Sequence, residues 1–150
     1  MFFFTLASAC LIFVDYILKY FAYQTLAGGK IIVLIPNLLR LYYLKNTGAA
    51  FGIFQNCQWL LIIVSLAVAI YIIHYVNEEF PTNNAQYTGL IFIFSGTVGN
   101  LLNRILSGGV IDYLDIFGRW PIFNLADICI NIGIVLLIIS MIIDKYRPQK

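Results

Sequence analysis

From Asn46 to Asn77 the chain carries no charged side chain, the neutral His74 aside, and the same holds between Glu79 and Arg104 and between Asp127 and Asp144. A helix rises 1.5 Å per residue, so roughly 20 residues cross the ~30 Å hydrocarbon core of a bilayer. Four apolar stretches reach that length: about 2–23, 57–76, 85–103 and 123–143. The composition agrees, at 61% hydrophobic and 11% charged with mean hydropathy +0.89. A water-soluble domain is about 45–50% apolar and about 25% charged. A chain of 150 residues has too little interior to hide the excess. The expected fold is an all-α membrane protein, a four-transmembrane-helix bundle forming a single domain over 1–150. An even number of spans puts both termini on one side.

The connections differ in character. Residues 77–84 are a short polar turn. Residues 24–56 contain Gly28, Gly29, the β-branched run Ile31–Val33, Pro36 and then LLRLYYLKN, which favours short strands. Residues 105–122, ILSGGVIDYLDIFGRWPI, suit a segment lying in the membrane interface. MFFFTLASAC resembles a leader with a lipid-attachment cysteine at Cys10, but no Lys or Arg precedes the apolar run, which continues through Asp15 and Lys19. A retained span is expected. Cys10, Cys57 and Cys129 form no CxxC pair and are odd in number, so they are expected to be small buried hydrophobes rather than a disulfide framework. The net charge of +2 is too small, and its cations too scattered, to suggest nucleic-acid binding, and no nucleic-acid partner is expected. Charge counting does not orient the chain. The C-terminal KYRPQK is basic, yet Lys30, Arg40 and Lys45 lie in the 24–56 loop.

Polar groups are costly in hydrocarbon and mark function or pairing where they occur. Here their placement is lopsided. Asp15 and Lys19 sit toward the end of the first span, and Asn46 feeds the second. Asn100, Asn103 and Arg104 close the third span, Asp112 and Asp115 follow it, and Asn124 and Asp127 open the fourth. In an up-down bundle these positions share one membrane face. The other face receives only the Glu78–Glu79 turn, His74 and the basic tail.

Asp15 and Lys19 are four residues apart on one helix face, as in a structural ion pair, with Asp15 also able to wall the site. In Asn46-Thr-Gly-Ala-Ala-Phe-Gly52, Gly48 and Gly52 permit close approach of a ligand or simply a tight strand-to-helix turn. Gly96 and Gly99 allow helices to pack closely. Asn100 and Arg104 share a face, and the guanidinium suits a supporting role at a helix C-terminus. Asp112 and Asp127 form the candidate catalytic pair. Two close carboxyls do not both ionise easily, so one activates water while the other donates a proton to a carbonyl oxygen. Asp115 competes with Asp112, and spacing alone does not separate them. The plainer alternative is solvated loop carboxylates, with Asp127 as a helix N-terminal charge. The only histidine lies at the opposite face, and no HExxH, CxxC or Walker-type loop is present, so carboxylates must carry any chemistry. An ion pathway would need polar groups through the depth of the bundle, and an assembly partner held by small-residue faces would need no carboxylate pair.

DYILK, NTGAAFG, GTVGNLLNR, GGVIDYLD and FNLAD, in this order and spacing, resemble the motifs of bacterial lipoprotein signal peptidase (signal peptidase II) along nearly the whole chain. The resemblance implies an aspartyl protease of the bacterial inner membrane that removes the signal peptide from diacylglyceryl-modified prolipoproteins, cutting before the lipidated cysteine. It implies Asp112 and Asp127 as the catalytic dyad. Asp15, Asn46, Asn100, Arg104, Asn124 and Ala126 match positions that line or brace the site, with Lys19 and Gly48 in support. It also implies both termini in the cytoplasm, the active face outside, a small extracytoplasmic β cradle and a short interfacial helix. Neither metal nor organic cofactor is expected. The expected partners are lipidated prolipoproteins and membrane lipids, and the chain is expected to be a monomer. Two positions depart from the pattern. Asn103 stands where many members carry Asp, so no carboxylate acts there, and Leu18 replaces a common Ser or Thr.

Overall fold

The computed structural model describes residues 1–48, 54–55, 57–79, 81–118 and 121–146. The four apolar runs are helices α1 (Phe2–Leu26), α2 (Gln58–Glu78), α3 (Asn84–Ser107) and α4 (Leu125–Lys145), each long and apolar enough to cross a membrane. Their ends fall within about a turn of the limits expected from the sequence. Between them lie β1 (Ile32–Ile35), β2 (Leu39–Asn46) and β3 (Val110–Ile116), which form an antiparallel sheet in the order β1-β2-β3.

The α3 helix is the hub. It packs on α1, α2 and α4, and 56% of its span window is buried against 17–22% in the other three. Glycine makes this possible. A Cβ on Gly96 would lie 2.3 Å from the Ala126 carbonyl oxygen, and one on Gly133 would lie 2.7 Å from that of Gly89, so α3 and α4 touch backbone to backbone. The outward residues, among them Phe2, Trp59, Ile70 and Met141, are large and apolar, as lipid contact requires.

Two apolar clusters bracket the middle of the bundle. Phe4, Ile72, Val76, Leu90 and Ile91 fill the end that holds the N-terminus. At the other end, Ala22 and Leu26 of α1 pack against Ile111 and Tyr113 of β3. The sheet therefore sits on the C-terminal end of α1. The α3 helix stops at Gly108, a left-handed cap (φ 63°) that releases the chain straight into β3.

Two expectations need correction, one for the cysteines and one for the membrane face away from the sheet. Within 105–122, residues 105–107 finish α3 and Val110–Ile116 run as β3. VIDYLDI has the β-branched and aromatic content of a strand, and pairing it with β2 satisfies backbone groups that an interface would leave open. Among the described residues there is no helix beyond the four spans; residues 49–53, 56 and 119–120, with Gly52 of the NTGAAFG motif, lie outside them. Of the cysteines, Cys129 is buried, whereas Cys10 and Cys57 are exposed on the outer surface. Finally, the membrane face away from the sheet holds more than its expected charges. Asn83 Nδ2 donates to Ser140 Oγ (2.8 Å) and Asp144 Oδ1 (3.1 Å), and the Thr82 hydroxyl donates to Asp144 Oδ2 (2.5 Å). This cluster ties the α2–α3 turn to the last turn of α4.

Candidate active site

Asp112 owes its position to strand register. Leu44 faces Asp112 and Asn46 faces Val110 across the β2–β3 ladder, so Asn46 lies diagonally beside Asp112 on the same face. Asn46 Nδ2 donates to Asp112 Oδ2 at 2.9 Å. The Asn46 Oδ1 accepts the Gly48 N–H at 2.9 Å, an Asx turn that fixes the amide. Arg104, at the end of α3, donates to the Gly48 carbonyl at 3.3 Å.

Asp127 owes its position to a helix cap. Asn124 is the N-cap of α4 and accepts the Asp127 N–H (3.1 Å), while Asp127 Oδ2 accepts the Asn124 N–H (3.1 Å), a reciprocal capping box. The same Asn124 side chain donates to Asp112 Oδ1 at 2.6 Å. One fully buried amide thus bridges the two acids.

Behind them the network continues into the bundle. Asn100 Nδ2 donates to Asp127 Oδ1 (2.8 Å), and Asn100 Oδ1 accepts from Lys19 Nζ (2.8 Å). Lys19 also pairs with Asp15 at 2.7 Å, with both side chains almost wholly buried. Asp15 Oδ1 in turn accepts the Ala126 N–H at the start of α4 (3.0 Å). Buried charges survive in such a place only when paired and hydrogen-bonded. Gly99 leaves the room, since a Cβ there would lie 2.7 Å from Asp15 Oδ2. Every residue singled out for support in the sequence, from Asp15 and Lys19 to Asn124 and Ala126, belongs to this one connected set.

Asp115 does not. It lies three residues from Asp112 on β3, an odd spacing that turns it to the opposite face. There Arg40, its ladder partner, binds Oδ2 at 2.5 Å and the Gly118 N–H binds Oδ1 at 3.0 Å. Asn103 acquires a role that composition did not suggest. Its Oδ1 accepts the Ile111 N–H at 2.8 Å and so holds β3 one residue before Asp112. Gln58, opening α2, donates to the Gly108 carbonyl, another brace that no sequence signal marks.

The electrostatics favour one shared proton. Burial first, and then the nearby Asp127 charge, push the Asp112 carboxyl up from 3.8 to about 6, against the opposing hydrogen bonds from Asn46 and Asn124. Among the described residues no group of three or more His, Cys, Asp or Glu comes together in a way that could hold a metal ion. What the site offers is two carboxyls held by one Asn124, ringed by amide donors, with the proton of Asp112 retained to about pH 6, at the sheet end of a membrane bundle. That arrangement can activate water and polarise a carbonyl at once.

Known proteins share both the sequence and the shape. Residues 7–143 match the family described as signal peptidase (SPase) II. The lipoprotein signal peptidase of Shouchella clausii (strain KSM-K16) is 33% identical over 97% of this chain and 96% of its own length. That of Clostridium novyi (strain NT) is 38% identical over 87% of this chain and 91% of its own. A bacterial membrane enzyme solved by the in meso method at 2.3 Å resolution is 27% identical, with a TM-score of 0.91 over 100% of this chain and 93% of that one. With helices, sheet and sequence all matched from near the first residue to the last span, the chain belongs to the signal peptidase II family.

Proposed function

We propose that this signal peptidase II cuts the signal peptide from prolipoproteins carrying a diacylglyceryl cysteine, and that Asp112 and Asp127 perform the hydrolysis. The observation that carries this reading is the Asn124 side chain, which joins an acid on a strand to an acid on a helix in an otherwise apolar bundle. The ionised carboxylate takes a proton from water as its oxygen attacks the scissile carbonyl carbon. The protonated carboxyl gives its proton to the carbonyl oxygen, forming a neutral tetrahedral diol. The first carboxyl then protonates the leaving nitrogen, the C–N bond breaks, and the second recovers its proton from the diol. No covalent enzyme intermediate forms.

Asn46, Asn100 and Arg104 supply donors for the substrate backbone or its lipid esters, while Asp15, Lys19 and Ala126 keep α1 and α4 in place beneath the dyad. The lipid tails and the apolar signal helix enter sideways from the bilayer. The sheet end faces away from the cytoplasm, and both termini lie inside. Residues 1–150 act as one domain and as a monomer. The test is purified protein with a diacylated precursor and the same precursor unlipidated, read by mass spectrometry. The lipidated form should yield a product beginning at the modified cysteine, and the unlipidated form should stay intact. Cleavage elsewhere, or of neither precursor, would refute the assignment.

A further inference from the structure

A recess of about 330 Å³ opens on the side of the sheet away from Asp112, between α1, β2 and the end of α3. Ile111 lines it, and successive strand residues point to opposite faces, so it opens on the far side of β3 from Asp112, with Lys19 of the site's network in its wall. Its floor consists of hydrogen-bond donors. Asn103 lines it; its Oδ1 is occupied by the Ile111 N–H, and its Nδ2, which is not sealed from solvent, donates to no group among the described residues. Lys45 extends across Gly108 and Gly109, where a Cβ on Gly109 would meet its Cε at 3.1 Å, and it pairs with no carboxylate among the described residues. Ser107 adds a hydroxyl. No acidic residue lines the recess, and Asp15 beyond Lys19 is already paired.

The wall is different. Tyr16, Tyr20 and Tyr23 recur at i, i+4 and i+7 on the span α1, each about half exposed, with exposed Phe13 one turn deeper. Tyr43 meets Tyr23 edge to face at 5.9 Å. An interfacial tyrosine belt alone needs neither a cavity nor a lysine, an amide and a hydroxyl gathered behind it. Donors converging on a cation at one end, with an aromatic track down a span from the other, match a phosphodiester with acyl chains attached.

We propose that this recess binds the headgroup of an anionic phospholipid. Lys45, Asn103 and Ser107 hold the phosphate, and the acyl chains run down the tyrosine face of α1. The probe is purified protein exchanged with phosphatidylglycerol or with diacylglycerol of the same chains, read by native mass spectrometry, with inorganic phosphate as competitor. One phosphatidylglycerol should stay bound per chain, and diacylglycerol should be retained at least about tenfold less, the difference expected of a single charge-assisted contact. Lys45→Gln should weaken retention about tenfold. Asn103→Asp keeps the acceptor for the Ile111 N–H, adds a negative charge to the floor and should weaken it further. Equal retention of both lipids, displacement of lipid by inorganic phosphate, or wild-type retention in Lys45→Gln would each overturn the proposal. The Lys45 variant decides the matter if Asn103→Asp does not fold, because Lys45 is exposed on the sheet.

Discussion

The Asn124 amide accepts the Asp127 N–H and donates to Asp112, so one neutral side chain sets both the start of α4 and the spacing of two acids. Asn124→Ala removes the helix cap, worth about 1 kcal/mol, and strips Asp112 of its shortest hydrogen bond. The melting temperature in detergent should fall by a few degrees, while the processing rate should fall more than about tenfold, because spacing matters more to chemistry than to folding. Equal small losses in both would mean Asn124 is only a cap. The raised Asp112 pKa gives a second expectation. Below about 6 Asp112 holds its proton and can donate it; above about 6 it loses that proton and with it the donor role. The rate should therefore decline with rising pH along a limb centred at or above about 6, since substrate expels water and deepens burial, and decline again in acid once both carboxyls are protonated. Lys19, Arg104 and Asp15 also face the pair, so the limbs belong to the cluster. A rate constant from pH 4 to pH 9 would contradict the shared proton.

Between α3 and α4, glycine brings the two backbones into contact. A Cβ on Gly96 would meet the Ala126 carbonyl oxygen at 2.3 Å and Ile130 Cγ1 at 2.7 Å, whereas one on Gly28 meets nothing within 4 Å. Gly96→Ala should cost about 1–3 kcal/mol and slow processing, since Ala126 adjoins Asp127; Gly28→Ala should melt and process like the wild type. Matching behaviour of the two variants in thermal melts would refute the close approach. The spans were legible because a bilayer demands long uncharged runs, and the convergence of polar residues followed from counting those runs. β3 was harder to read. VIDYLDI has the β-branched and aromatic content of a strand but repeats its aspartates every third residue, and Gly108, Gly109 and the aromatics around it also suit an interfacial segment; pairing with β2 shows the strand. Once it is a strand, the odd spacing separates Asp112 from Asp115 at a stroke. Asp144 carried no sequence signal, although Asn83 and Thr82 hold it across the turn.

Taken whole, the molecule places buried charge only where pairs and amides can hold it, and gathers those groups at the sheet end of the bundle. Five elements contribute: α1 through Asp15 and Lys19, β2 through Asn46, α3 through Asn100 and Arg104, β3 through Asp112, and the start of α4 through Asp127. No one element contains a site, which is why motif order along the chain carried more information than any motif alone. The direct trial is cleavage of a diacylated precursor by reconstituted protein bearing Asp112→Asn, Asp127→Asn or Asp115→Asn, with thermal melts confirming that each is folded. The first two should lose about 10²–10⁴-fold in rate, and Asp115→Asn should keep most of it, because that carboxylate only braces Arg40 and Gly118. Wild-type cleavage by either Asp112→Asn or Asp127→Asn would contradict the account.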